Sequence, residues 1–505
     1  MTFTTRSSPG LERITGPAGD EVSRRRRAVV LAALVIATAA LGLFMLEDKS
    51  IWLDEGFSAV VARLRWPELW DIVSERQANM GLHYVLLHLW IRLGEGDFVV
   101  RSLSVVAAVA TVPLAYLLGV RLLDARRALV AAALLGANAY FIRYAQEARG
   151  YALAVLLSTA ATLLFVRAVQ GGPWLEWAGY AVLSSFAVYA HFFSAFVVVA
   201  HIVSLPWLGR RRAPLRQVAA SLGGMAVLLA PLARFVLGRD RGQIDWIPEP
   251  TLRALYKAFR DLAGQAGPAL LALYAALGCI FLVSLWRTSA RRGRSPELWA
   301  RVLLLAWFFV PVLGSFALSF VKPIFQTRYV IVALPALALI GAAGLFEIRP
   351  RAVVALVAAA LFGLSAYGLF LWYTGYEKED WRGATRFVLA HDEPGDGVVV
   401  FFVRARRPFE YYLGTFDELR DGPRPAYPAT PWGTPEGLNA QLPGRAEIRR
   451  RLLALDPGRL PRLWLVTSHI DEDKRRYVEE LLARRYTQVT GRRFTRVRVA
   501  LYAAT

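Results

Sequence analysis

The chain alternates long apolar runs with short polar segments. The runs are Val29–Met45, Phe98–Val120, Leu129–Tyr144, Tyr151–Val166, Trp174–Tyr189, Phe192–Leu208, Val218–Val236, Pro268–Trp286, Val302–Phe320, Tyr329–Phe346 and Val353–Tyr373. About 20 apolar residues suffice to cross the hydrocarbon core as a helix. Inside lipid, a helix satisfies its backbone polar groups within one segment. The pattern predicts a polytopic α-helical membrane protein of about eleven spans.

Charge gives the spans a direction. Residues 1–27 are polar, close on Arg24–Arg27 and read as a basic cytoplasmic tail. Arginines recur in Arg121–Arg127, around Arg167, and in Arg210–Arg216, Arg287–Arg301 and Arg349–Arg351. Loops rich in Lys and Arg stay on the cytoplasmic side. The outer side then receives 46–97, 145–150, 190–191, 237–267, 321–328 and everything after 373. This threading requires that Leu82–Leu93 does not span. At about 12 residues it is too short, so it is expected to lie on the outer surface. Ahead of it, Trp66, Leu69, Trp70 and Val73 fall at i, i+3, i+4, i+7, with Glu68, Asp71 and Glu75 off the stripe. That spacing predicts an amphipathic helix, and its tryptophans suit the membrane interface.

After Tyr373 the apolar runs stop. Val398–Val403 and Leu463–Thr467 read as buried strands, Ile470–Arg485 as a helix and Val497–Tyr502 as a last strand. The stretch 404–460 is rich in Pro, Gly and Arg and reads as loops. The expected organisation is a basic tail (1–27), a membrane domain (28–375) with a first outer loop (46–97), and a small extracytoplasmic α/β domain (376–505). The expected location is a bacterial plasma membrane.

Composition adds two exclusions. The 505 residues are 56% hydrophobic, yet carry a formal net charge of +21. In a soluble protein that charge would point to nucleic acid. Here the cations sit between apolar runs and no nucleic-acid motif is present, so no nucleic-acid partner is expected. The single cysteine, Cys279, excludes an intramolecular disulfide and a thiolate metal site.

The outer ends of the spans collect the candidate chemistry. Asp54 and Glu55 stand in IWLDEGFS, and Gln146, Glu147 and Arg149 in RYAQEARGYAL. His191 stands in VYAHFF, and Lys322, Gln326 and Arg328 in VKPIFQTRY. Ionisable groups at the hydrocarbon edge face a cavity or one another. A structural pair of Glu147 with Arg143 or Arg149 would account for one cluster; four at the same ends favour a shared site. Carboxylates, cations and a histidine beside an apolar bundle suit a substrate with a phosphate head and a greasy tail. Arginine grips phosphate through a planar fork, and a carboxylate deprotonates an attacking hydroxyl. Phosphate departs as a stable anion whose charge arginine or a metal stabilises. One essential carboxylate with phosphate clamps is therefore expected, not the acid–base pair of most glycoside hydrolases.

The motifs in order carry a family resemblance. They are Asp54-Glu55, NMGLHYVLLHLW from Asn79, QEARGYAL from Gln146, YAHFF around His191, TRYVIVALPALAL from Thr327 and EKEDWRGATRFV from Glu377. Together they resemble the membrane glycosyltransferases of the GT-C class, and within it the protein O-mannosyltransferase and aminoarabinose-transferase-like group. The resemblance covers the membrane part almost end to end. It implies a GT-C type fold and a polyprenyl-phosphate sugar donor carrying mannose, arabinose or a related sugar. It implies inverting transfer to a hydroxyl of a glycan, lipid or protein on the outer face. By the same resemblance Asp54 is the general base, with Glu55 and Glu147 also catalytic. Arg149, Arg328 and Lys322 would bind the donor phosphate, and Asn79, Gln146, His191 and Tyr329 would line the substrate. Some relatives use a divalent metal ion. His191 and Glu147 are the candidate ligands, and one His with one Glu is too little to define a site.

Two departures touch the acceptor side. Met80-Gly81 stands where many relatives have Pro-Pro, and His83 where Tyr is usual. His83 and His88, five apart, do not share a helical face and read as interface residues. A rival reading is a transporter or flippase for a lipid or lipid-linked sugar. It would also need a polar cavity, but transporters show internal repeats and midplane sites. This chain shows no repeat, and its charges lie at span ends.

Overall fold

The computed structural model describes residues 17–76, 78–208, 213–237, 247–401, 403–416, 421–435 and 445–505. Several expectations lie partly outside the described residues: the tail at 1–16, the basic loop at 209–212, the segment 238–246, strand position 402, and the stretch 404–460 at 417–420 and 436–444.

The chain opens with α1 (Pro17–Leu43) and a connecting segment that holds α2 (Leu53–Arg63), α3 (Trp66–Asp71) and α4 (Gly81–Trp90). It continues with α5 (Asp97–Leu122), α6 (Ala125–Gly136), α7 (Ala139–Ala145), α8 (Tyr151–Val169), α9 (Trp174–Ala190) and α10 (Ala195–Ser204). Then follow α11 (Leu215–Leu237), α12 (Leu252–Ala263), α13 (Pro268–Arg292), α14 (Pro296–Phe309), α15 (Ser315–Leu318), α16 (Leu334–Glu347) and α17 (Arg351–Gly375). Each of the eleven apolar runs corresponds to helix. Among the described residues, eight helical stretches are long and apolar enough to cross a membrane. The pair α6–α7, bent by 60°, would make a ninth. The 17-residue α9 and the run Phe192–Leu208 fall below that length. The chain is a multi-pass integral membrane protein.

The bend between α6 and α7 has a local cause. Asn138 sits in extended backbone and its Oδ1 accepts the N–H of Phe141 at 3.0 Å, an N-cap that starts a new helix. Its Nδ2 donates to the carbonyl of Leu262 at 2.9 Å. The capped α7 carries the turn 146–150 to the end of the bundle where α2 and α4 lie.

In α3 the expected stripe divides. Leu69 is buried together with Ile72, whereas Trp66 and Trp70 are exposed. α4 is more deeply seated than a surface helix, since Gly81, His83, Tyr84 and Leu87 are all buried.

The C-terminal domain contains α18 (Trp381–Leu389), β1 (Gly397–Val400), α19 (Arg406–Thr415), β2 (Arg424–Tyr427) and α20 (Arg445–Leu453). It ends with β3 (Arg462–Thr467), α21 (Glu472–Leu482), β4 (Tyr486–Phe494) and β5 (Val497–Ala504). The five strands run in the order β2-β1-β3-β5-β4. β1 is parallel to β2 and β3, and β5 is antiparallel to β3 and β4. The loop reading of 404–460 is corrected here, because that stretch holds α19, β2 and α20. Its helix α19 buries Phe409, Tyr411 and Tyr412, partly against the membrane domain, so its apolar face has no partner nearby in sequence. β4 is a polar edge strand with an exposed pattern, which leaves no alternation to read.

α19 lies directly on α2. A Cβ on Gly56 would sit 2.7 Å from the backbone nitrogen of Pro408, so only glycine permits this approach. Beside it, the buried carboxylate of Asp97 accepts from Tyr411 Oη at 3.0 Å, Tyr412 Oη at 2.7 Å and Arg382 Nη2 at 2.5 Å. These contacts fix the domain over the end of the bundle that bears α2.

Candidate active site

Two adjacent carboxylates at the start of α2 have opposite surroundings. Glu55 is fully buried. Arg101 grips it with Nε on Oε1 and Nη2 on Oε2, both at 2.8 Å. Lys378 Nζ donates to Oε2 at 2.9 Å and the Ala148 N–H to Oε1 at 3.0 Å. Burial raises the Glu55 pKa, but the Arg101 and Lys378 charges outweigh it and pull the group down to about 2. Arg101 also donates to the carbonyls of Leu46, Lys49 and Ser50. Glu55 is thus the anchor of the segment ahead of α2, and its oxygens face inward.

Asp54, one residue earlier, keeps 32% of its side chain exposed. Arg328 Nη2 lies 3.5 Å from its Oδ2. Burial pushes the Asp54 carboxyl up, and the charges of Arg149, Arg328 and Arg407 overcome it and hold the group below its ordinary range. Arg149 Nη1 donates to the Asp54 carbonyl, Ser58 Oγ and Tyr84 Oη, each at 3.3 Å. Arg328 also lies over the rings of Trp52 and Tyr329 at 5.8 and 5.7 Å. Arg407, from α19, stacks on Phe57 at 4.4 Å.

The other expected residues separate into two groups. His191 packs against Tyr151 at 5.5 Å and Tyr329 at 4.8 Å. Its Nδ1 accepts the Phe193 N–H at 3.3 Å, which leaves Nε2 as the protonated nitrogen. Glu147 is buried 3.6 Å from Arg143 Nε, and burial pushes its carboxyl up against the pull of Lys378 and Arg143. These residues gather with Asp54, Arg149 and Arg328. Asn79 stands beside the group, its Oδ1 accepting the Phe192 N–H at 3.4 Å.

Gln146 does not join them. Its Nε2 donates to the carbonyls of Gly42 and Phe44, and its Oε1 accepts from Trp372 Nε1 at 2.6 Å. The amide is consumed in tying the end of α1 to α17, so the lining role expected for it is corrected. Lys322 is exposed, and its side chain makes no hydrogen bond or ion pair among the described residues. His83 is corrected from an interface residue to a fully buried one, packed at the Gly150 turn. His88 is half-buried, its Nδ1 2.8 Å from the Ala62 carbonyl.

Several buried polar atoms here have no hydrogen-bond partner among the described residues. They are both Glu147 oxygens, Tyr151 Oη, His191 Nε2, Trp52 Nε1 and Arg149 Nε. Buried polar groups almost always find a partner, so their gathering marks a lining built for a polar guest. A divalent ion does not fit it. No three His, Cys, Asp or Glu side chains converge among the described residues, and Glu147 is flanked by Arg143. The cations beside Asp54 are Arg149, Arg328 and Arg407.

Sequence reasoning missed Arg101, Lys378 and Arg407. Arg101 stood as the one cation within the apolar run Phe98–Val120, which is a signal in itself. Lys378 lay inside the quoted EKEDW motif. Arg407 lay in a stretch read as loop and carried no signal.

Residues 82–236 match the family described as dolichyl-phosphate-mannose-protein mannosyltransferase. No curated protein matches the chain by sequence. Among solved structures, apo ArnT from Cupriavidus metallidurans superposes with a TM-score of 0.62 at 14% identity, covering 95% of this chain and 98% of that one. The same protein bound to undecaprenyl phosphate gives 0.60 at 13% identity, covering 94% and 97%. AglB from Archaeoglobus fulgidus, in complex with an inhibitory peptide and a dolichol-phosphate, gives 0.54 at 12% identity, covering 88% and 69%. The arabinofuranosyltransferase AftD from Mycobacteria gives 0.52 at 17% identity; 95% of this chain matches 40% of AftD. The fold is of the GT-C type expected from the motifs, and the resemblance to the mannosyltransferase and ArnT-like group holds.

Proposed function

We propose that the chain transfers a sugar from a polyprenyl-phosphate donor to an acceptor hydroxyl, with inversion, on the extracytoplasmic face of a bacterial plasma membrane. The observation that carries this reading is the pairing of a partly exposed Asp54 carboxylate with Arg328 at 3.5 Å, backed by Arg149. The arginine-rich turns at the opposite end of the bundle support the orientation.

In this reading Asp54 takes the proton from the acceptor hydroxyl as its oxygen attacks the anomeric carbon. The bond from that carbon to the phosphate oxygen breaks, and polyprenyl phosphate leaves as an anion. Arg149 and Arg328 bind the phosphate through charge-assisted hydrogen bonds and stabilise the charge that develops on it. Donor phosphate competes with Asp54 for Arg328. Its arrival loosens the ion pair and raises the basicity of Asp54 when a base is needed. Glu147, Tyr151 and His191 supply hydrogen-bonding groups to the sugar. Glu55 positions Asp54 through the shared first turn of α2.

The test is transfer in membranes carrying matched amounts of wild type or Asp54→Ala, with a panel of radiolabelled polyprenyl-phosphate sugars. One donor is consumed by wild type, and Asp54→Ala loses at least roughly a hundredfold, the lower end of general-base effects. If no donor is used, or the variant equals wild type, the mechanism fails and a transporter becomes the better reading.

A further inference from the structure

The C-terminal domain has a concave site that the transfer chemistry does not use. A cavity of about 270 Å3 opens at the end of β3, lined among others by Ser468, His469, Arg475, Arg493, Arg496 and Arg498. β3 runs parallel to β1, and ligands of α/β sheets gather beyond the carboxyl ends of such strands.

Its rims are held in unusual backbone. His469 has φ 54° and Arg496 has φ 57°, a left-handed conformation uncommon outside glycine. Ser468 Oγ donates to the Arg496 carbonyl at 2.8 Å and so ties the two rims together.

The charge inside is unbalanced. Arg475 is paired with Glu472 and with Glu479, the latter at 2.7 Å. Arg498 reaches the same Glu479 at 4.0 Å. The side chains of Arg493 and Arg496 make no ion pair or hydrogen bond among the described residues. Four guanidiniums therefore meet two carboxylates. Arginine on an edge strand is often a device against edge pairing. That would account for Arg492, whose guanidinium lies over Phe387 and Phe494. It does not account for cations from α21, β4, β5 and their turn converging on one hollow.

The cavity sits at the base of the domain. His469 Nε2 lies 3.1 Å from Glu379 Oε1, and the Asp380 N–H donates to the Thr495 carbonyl at 3.0 Å. Both partners belong to the short link that leaves α17, next to the Lys378 that holds Glu55.

The guanidinium fork matches phosphate. A water molecule claims about 30 Å3 of liquid, so this volume takes a phosphate together with its ester substituent. We propose that the cavity binds a phosphate-bearing headgroup, either of a membrane lipid beside the domain or of a free phosphate ester.

The test is hydrogen–deuterium exchange on the full chain in phosphatidylcholine nanodiscs, with and without glycerol 1-phosphate, and in phosphatidylglycerol nanodiscs. Slowed exchange over 467–472 and 493–498 is expected. Slowing with both ligands assigns the phosphate ester itself, and slowing with phosphatidylglycerol alone assigns the lipid as source. R493Q/R496Q weakens the effect by roughly tenfold or more, as loss of charged hydrogen bonds does. R459Q/R484Q, which removes two exposed cations outside the cavity, leaves it intact. Slowing with neither ligand, or equal loss in both double variants, overturns the proposal. Sugar transfer enters none of these readouts, so failure here is distinct from failure of the transferase reading.

Discussion

Arg101 and Glu55 form a two-point ion pair in complete burial, Nε to Oε1 and Nη2 to Oε2 at 2.8 Å each. The pair joins α5 to the helix that presents Asp54. Removing one partner leaves the other charge buried and uncompensated, a loss of about 3–5 kcal/mol. Glu55→Ala and Arg101→Ala should each cut the yield of monodisperse protein on size-exclusion chromatography and lower Tm by several degrees.

The same pair has a pH signature. Glu55 titrates at about 2 in the folded protein, below its ordinary 4.5. A depressed acid contributes stability above the unfolded value and loses it as pH falls toward the folded one. Tm in detergent should therefore decline between about pH 4.5 and pH 2. Any Glu55→Gln protein that folds should lack that part of the slope.

Asp54 should set the acid limb of the transfer reaction. Its carboxyl lies below the ordinary 3.8, so kcat/KM should not fall until pH drops below the usual carboxylate range. Arg407→Gln removes one of the cations that hold it down. The acid limb should then move to higher pH, while Tm changes little. A limb that stays in place would show that another group titrates.

Gly56 is the contact point of the two domains. Gly56→Val would force α19 away from α2, since the added carbon meets backbone that cannot fold aside. Overpacking of this kind costs about 1–3 kcal/mol. Limited proteolysis should release the segment from 376 onward faster than in wild type, and transfer should weaken because Arg407 rides on α19.

Gln146→Leu separates structure from substrate contact. Because the amide bridges α1 and α17, the variant should lower Tm and leave the donor KM unchanged. A raised KM with unchanged Tm would restore Gln146 to the substrate lining.

The spans, their Arg-rich turns, the strand Leu463–Thr467 and the first half of the run Val398–Val403 were legible because burial in lipid or a sheet core writes long apolar runs into sequence. Asp54, Glu147, Arg149, His191 and Arg328 stood out for a related reason: polar groups at the hydrocarbon edge are costly. Only the family resemblance singled out Asp54 as the base; the pattern of residues did not separate it from Glu55. Neighbours on one helix point in different directions, and the two cations that grip Glu55 come from 46 and 323 residues away. Gln146 looked like a lining residue until its amide was seen bridging two helices. α19 read as loop because its apolar face rests partly on the membrane domain. Local pattern alone determined the membrane helices, the apolar strands and which polar residues carry cost. Tertiary packing decided which carboxylate is buried in an ion pair and which stays partly exposed, because that depends on cations brought from distant segments.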